Sequence, residues 1–86
     1  MPDDLLREKE GTYVSGKMRL RFYVQDGALH VINPSGDDFV LLPESGDTFF
    51  ENLFDTGFRF LKDNEGRVIK VITRERGAEM EWQKEK

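Results

Sequence analysis

His30 is the only histidine in the 86-residue chain, and it is the first residue to consider as a general base. A base needs a nucleophile or an orienting carboxylate beside it, and no serine or aspartate stands at a recognisable spacing from His30 in the sequence. The chain contains no cysteine, which excludes a thiol nucleophile and thiolate ligands for zinc. We therefore expect an exposed, structural histidine, no catalytic residue and no transition-metal site.

Acidic residues cluster in the turns, where their carboxylates could bind calcium. Asp37, Asp38 and Asp47 form one group, and Asp63 with Glu65 forms another. The second group resembles part of a calcium loop, but it lacks the alternating acidic ligands and the closing bidentate glutamate. Asp-Asn-x-Gly is also the composition that a hairpin turn needs for its own backbone. The turn interpretation is favoured, and we expect no metal or other cofactor.

A row of alternating cations, Lys17, Arg19 and Arg21, could contact the phosphates of a nucleic acid. The formal net charge of −4 disfavours a general polyanion partner. In the register described below, Arg74 stands opposite Glu79, which is typical of a solvated face with cross-strand ion pairs. We predict no nucleic-acid partner and interpret the cations as the outside of a sheet.

The sequence also indicates no membrane partner. No apolar run approaches the roughly 18 residues of a membrane span. The N-terminal segment MPDDLLREKE is acidic and lacks the apolar core of a signal peptide. These features do not identify a cellular compartment.

The elements that must position these residues are short strands separated by turns. Clusters of Gly, Asp, Asn and Pro recur at short intervals, and the runs between them are rich in Phe, Val, Ile and Leu. This pattern predicts an all-β antiparallel meander. The eight predicted strands are 11–15, 17–25, 28–33, 38–42, 47–51, 57–62, 67–75 and 78–84.

Turn lengths predict the register of three hairpins. A two-residue turn at Asp26-Gly27 places Val24 opposite Leu29 and Phe22 opposite Val31, and it points His30 outward beside Tyr23. A four-residue loop over 63–66 places Phe60 opposite Ile69 and Phe58 opposite Val71. A last turn at Arg76-Gly77 places Val71 opposite Trp82 and Thr73 opposite Met80. Together the three turns put these residues on one common face: Leu20, Phe22, Val24, Leu29, Val31, Phe58, Phe60, Ile69, Val71, Met80 and Trp82.

Eight strands with one apolar face favour a small closed or nearly closed lipocalin-like barrel. Residues 11–86 would form this single barrel domain, and residues 1–10 a helical cap or linker. In the cap we expect Asp3 or Asp4 as the N-cap residue, with Leu5 and Leu6 packing against one open end.

Several short matches give the chain a family resemblance. They are Gly11-Thr12-Tyr13 at the first strand, Gly27-Ala28-Leu29 in the hairpin, Leu42-Pro43 followed by Phe49, and Phe60 followed by Asp63, Gly66 and Val68. The order of these features resembles the small lipocalin-like β-barrel domain of unknown function at the C-terminus of β-lactamase-related serine hydrolases. The resemblance implies an accessory domain whose chemistry belongs to a separate upstream domain.

The accessory role requires a docking surface. In the predicted register Leu61, Val68 and Ile72 point outward on two adjacent strands, and three neighbouring apolar groups suggest an interaction patch. An upstream serine hydrolase domain or a second copy of the chain, giving a homodimer, would cover this patch. We take this as the leading hypothesis.

The alternative is a binding barrel for a small apolar ligand. Its cavity would be lined by Phe22, Phe58, Phe60 and Trp82, with Met80 in the wall and Tyr13 at the mouth. These aromatic residues are also what a chain of this size needs for its core, so the filled barrel is favoured over the hollow one.

Overall fold

The structure is a computed structural model and describes residues 2–85. In these residues the chain forms nine antiparallel strands and one short helix. Met1 and Lys86, at the ends of the predicted segments 1–10 and 11–86, lie outside the described residues. The helix α1 spans Asp3–Arg7. The strands are β1 Gly11–Ser15, β2 Met18–Gln25, β3 Ala28–Ile32, β4 Asp38–Val40, β5 Leu42–Pro43, β6 Thr48–Glu51, β7 Thr56–Lys62, β8 Val68–Glu75 and β9 Ala78–Lys84.

The strands form one nearly closed antiparallel barrel, as the sequence predicts. Strands β1 and β9 are hydrogen-bonded neighbours, so the order across the sheet is β4-β3-β2-β1-β9-β8-β7-β6-β5. The two outermost strands, β4 and β5, are joined by the single residue Leu41, whose N–H donates to the Leu29 carbonyl at 2.8 Å. The predicted strand 38–42 is therefore one extended segment that leaves β3 and joins β6, which accounts for nine strands instead of eight.

Two of the three predicted hairpin registers are confirmed. Positive φ angles of 53° at Asp26 and 75° at Gly27 define the primed turn, and Phe22 pairs with Val31. The last turn pairs Val71 with Trp82 as predicted.

The register predicted for the hairpin between β7 and β8 is wrong. Phe60 pairs with Val71, not with Ile69, and the ladder shifts between Leu61 and Lys62. The loop is tighter than predicted because the Asp63 N–H donates to the Arg67 carbonyl at 2.8 Å. Ile69 then becomes the extra residue of a β-bulge.

The bulge reverses the orientation of two apolar side chains. Val68 is buried, with 6% of its surface exposed, whereas Ile69 is 40% exposed. The prediction that Val68 points outward and Ile69 inward is therefore wrong for both side chains. The extra residue of the bulge moves the neighbouring side chains to the opposite face of the sheet.

Aromatic rings fill the middle of the barrel. The Phe22 ring makes edge-to-face contacts with Tyr13 at 5.1 Å and with Phe60 at 5.0 Å between centroids. Phe49 contacts Phe60 in the same way at 5.8 Å. Such contacts stabilise the core beyond the burial of their apolar area.

The N-terminal segment covers one end of this core. Leu6 is buried, but Leu5 is largely exposed, and the helix begins after Pro2 with no side-chain cap, so the expected N-cap role of Asp3 or Asp4 is wrong. Lys9 is fully buried below the helix. Its ammonium donates to the Leu5 carbonyl at 2.8 Å.

Candidate ligand-binding site

The opposite end of the barrel is open and contains an apolar cleft of about 540 Å³. We call it the open-end cleft and define it by its large apolar lining residues: Met18, Phe39, Phe54, Phe58, Met80 and Trp82. Its volume lies in the range of roughly 300–1,000 Å³ that is typical of small-molecule sites, and the mouth of a β-barrel is a common location for such sites.

The loop over 52–55 forms one wall of the open-end cleft. Glu51, the last residue of β6, is 5% exposed, and its carboxylate accepts hydrogen bonds from the backbone N–H groups of Leu53 and Phe54. This arrangement holds Phe54 edge-to-face against Phe39, with 5.5 Å between the ring centroids. A buried carboxylate thus determines the position of an aromatic side chain in the wall.

Strands β8 and β9 form the facing wall. Trp82 Nε1 donates to Thr73 Oγ1 at 3.0 Å, which satisfies the indole donor inside the barrel. Met80 pairs with Thr73 as predicted, but it lies at the rim and is 40% exposed. Its inward direction is therefore confirmed, whereas its burial is not.

The predicted cavity residues divide between the open-end cleft and the filled core. Phe58 and Trp82 line the cleft, whereas Phe22 and Phe60 do not. Both of the latter are buried within the aromatic cluster. Tyr13 was expected at the mouth but is fully buried, and its hydroxyl donates to the Lys9 carbonyl at the covered end. The barrel is filled at one end and open at the other, which neither the filled nor the hollow prediction described.

The predicted interaction patch is not assembled as the sequence suggested. Val68 is buried, so it cannot contribute to an outer surface in this fold. Leu61 and Ile72 remain half-buried and face Lys70 and Arg59, respectively, across the ladder. They are diagonal neighbours on the outside of the barrel.

His30 lies on the outer face beside Tyr23, as predicted. The two rings are stacked, with 4.9 Å between their centroids, and His30 Nδ1 lies 3.7 Å from the Asp38 carboxylate. The Tyr23 hydroxyl donates to the same carboxylate, and this hydrogen bond raises the pKa of Tyr23. Asp38 could not be predicted as a partner of these two rings, because the contact depends on the pairing of β3 with β4. None of these three residues lines the open-end cleft.

In two of the turns a side-chain oxygen accepts hydrogen bonds from backbone N–H groups of the same turn. The Asp63 carboxylate accepts hydrogen bonds from the N–H groups of Arg67 and Glu65, each at 2.9 Å, and the bond from Arg67 contributes most to lowering its pKa. Asn33 makes the same pair of bonds to Ser35 and Asp37. Within residues 2–85, no three acidic or histidine side chains come together as a metal site.

The predicted cations lie outside the barrel. Lys17, Arg19 and Arg21 are all exposed. Arg19 lies 3.8 Å from the Glu85 carboxylate. In the same described part of the chain, no helix has the length and apolar character needed to cross a membrane.

Sequence reasoning missed Glu51 and Phe54 as site residues. Phe54 lies in the segment NLFDTG, residues 52–57, which directly follows Glu51 and has the composition of a turn, and its role in the cleft depends on the fold. A carboxylate directly before a turn is the one available signal, because such side chains often accept hydrogen bonds from the following N–H groups.

Comparison with known proteins adds no family to this description. No protein-family model, curated protein or solved structure matches the chain.

Proposed function

We propose that this chain is a non-catalytic binding barrel whose open-end cleft takes up one small apolar ligand. The observation that supports this most directly is the contrast between the two ends. Tyr13 and Phe60 fill the barrel next to the covered end, whereas Phe58 and Trp82 line an accessible cleft at the other. Chains of this size need their aromatic residues for stability, and an open apolar cleft sacrifices some of that burial.

A neutral fluorescent probe, N-phenyl-1-naphthylamine, tests this function. We expect saturable one-to-one binding to the unmodified chain. Met80→Arg should weaken binding about ten-fold or more, because the charge enters an apolar wall. Val40→Arg is the matched control, since Val40 is an exposed strand residue that does not line the cleft. Absence of saturable binding, or equal binding by both variants, would contradict the proposal.

The second candidate is the accessory domain that the family resemblance implies, packed against a serine hydrolase domain or a second copy. The feature that favours it is the loop 52–55, because Leu53 is 72% exposed beside the cleft. Exposed apolar groups at the rim of a cleft are typical of surfaces that a partner covers. We therefore propose the surface formed by the loop 52–55 as the docking site, in place of the patch of Leu61, Val68 and Ile72.

Native mass spectrometry of the chain and of Leu53→Lys tests the self-associating form of this candidate. A dimer that dissociates on the substitution would support it. A monomer in both samples would count against self-association.

A further inference from the structure

We infer that the open-end cleft selects organic cations, in which an ammonium group is attached to an apolar body. This inference rests on the proposed binding function and assigns the chemical class of its ligand. It follows from the unbalanced charge of Glu51, from the aromatic walls and from the sign of the charges at the rim.

Glu51 is a buried carboxylate whose hydrogen-bond partners, in the part of the chain that the structure describes, are backbone N–H groups. Among residues 2–85, no Lys, Arg or His nitrogen lies within 4.0 Å of its oxygens. Its hydrogen bonds come from backbone N–H groups, including those from Phe54 at 3.1 and 3.0 Å. A carboxylate has about four acceptor positions, and burial of its charge is costly without a counter-charge. A ligand ammonium in the cleft that Glu51 lines would supply that charge.

Aromatic rings supply the second component of the site. Phe39, Phe54, Phe58 and Trp82 all line the open-end cleft. Cations are attracted to the faces of such rings within about 6 Å, and tryptophan is the strongest of them. Aromatic walls next to a carboxylate favour an alkylated ammonium over a neutral or anionic group of the same size.

The rim adds a weaker bias of the same sign. Glu75 and Glu79 line the mouth together with one cation, Arg76. Glu79 stands opposite Arg74 in the register of β8 and β9. These exposed groups act mainly on the approach of the ligand, and the selectivity is assigned to Glu51.

Three probes with the same decyl tail test the inference: decyltrimethylammonium, decanol and decanoate, each below its micellar or solubility limit. Binding is followed by the fluorescence of Trp82, the only tryptophan, and by calorimetry. We expect the cation to bind about ten-fold more tightly than the alcohol, and the carboxylate to bind most weakly.

Glu51→Gln removes the charge but keeps an oxygen that can accept the loop hydrogen bonds. It should bring the affinities for decyltrimethylammonium and decanol together, and saturable binding of decanol by the variant would show that the cleft is still formed. Glu81→Gln is the matched control, because it removes the same charge from an exposed residue outside the cleft. It should keep the preference.

The outcomes separate the two proposals. Equal binding of all three probes by the unmodified chain would overturn the assignment of a cation while leaving the apolar site in place. Binding of none of them would overturn the proposed function and the inference together. If Glu51→Gln fails to fold, the ranking of the three probes by the unmodified chain decides the matter.

Discussion

The Tyr13 hydroxyl donates a hydrogen bond of 2.9 Å to the carbonyl oxygen of Lys9. Because Tyr13 lies in β1 and Lys9 lies in the N-terminal segment, this bond connects the first strand to the segment that covers the end of the barrel. Both residues are fully buried. The bond also gives the buried Tyr13 hydroxyl an acceptor, and the same burial raises the pKa of Tyr13.

Tyr13→Phe should lower the free energy of unfolding by about 1–2 kcal/mol, because the Lys9 carbonyl loses its buried donor. Urea denaturation measures the change. Tyr23→Phe is the control, since its hydroxyl bonds to Asp38 at the exposed outer face and its loss should destabilise the chain clearly less than that of the Tyr13 hydroxyl. Equal stability of Tyr13→Phe and the unmodified chain would contradict the assigned role of this bond.

Glu8 should titrate below its ordinary pKa of 4.5. Partial burial alone would raise the pKa, but the hydrogen bond from Lys62 at 3.0 Å and the charges of Lys9 and Lys62 outweigh it. Because the folded-state pKa is the lower one, the stabilisation is present above about pH 4.5 and is lost as the pH falls through the folded value.

A carbon-detected NMR titration of Lys62→Met should show the Glu8 pKa moving up towards 4.5. Lys70→Met, which breaks an exposed pair with Glu81, should leave Glu8 unchanged. A Glu8 pKa that is the same in both variants would show that Lys62 does not hold this carboxylate.

Gly66→Ala should destabilise the chain by about 1–2 kcal/mol, because φ at this position is +81° and L-residues avoid that conformation. Gly46→Ala is the matched comparison. No atom would crowd a Cβ at either position, and only Gly66 has the left-handed backbone. Thermal unfolding of both variants measures the difference, and equal effects would argue against the tight loop over 63–67.

The turns explain why some registers could be predicted and one could not. Asp26-Gly27 and Arg76-Gly77 are two-residue turns with positive φ at both positions, so residue type determines the loop length and the pairing follows. The loop after Asp63 depends instead on one carboxylate accepting two N–H groups. That contact shortens the loop, and no residue pattern distinguishes it from a four-residue loop.

The open-end cleft was predictable only in part. Phe58 and Trp82 were placed on the inner face by strand alternation, which local sequence determines. Whether inner aromatic residues fill a barrel or line a cavity depends on what covers each end. Leu6 and Lys9 cover one end of a core built mainly from strands that are distant in sequence. At the other end the bond between Glu51 and Phe54 is local, but the contact of Phe54 with Phe39 depends on the fold.

Val68 and Ile69 give a direct test of the bulged register. Val68→Asp should lower the free energy of unfolding by about 3 kcal/mol or more, because it buries a charge in the core. Ile69→Asp should cost less than about 1 kcal/mol, because its side chain is 40% exposed. Urea denaturation measures the loss in free energy of unfolding for each variant. The two variants differ only in which of two adjacent apolar residues is replaced.

The alternative register makes the opposite prediction. With a four-residue loop and no bulge, Ile69 would lie opposite Phe60 inside the barrel and Val68 would lie outside. Ile69→Asp would then be the severe substitution and Val68→Asp the mild one. Because the two registers exchange the effects of the same pair of substitutions, a larger loss for Ile69→Asp would exclude the pairing of Phe60 with Val71.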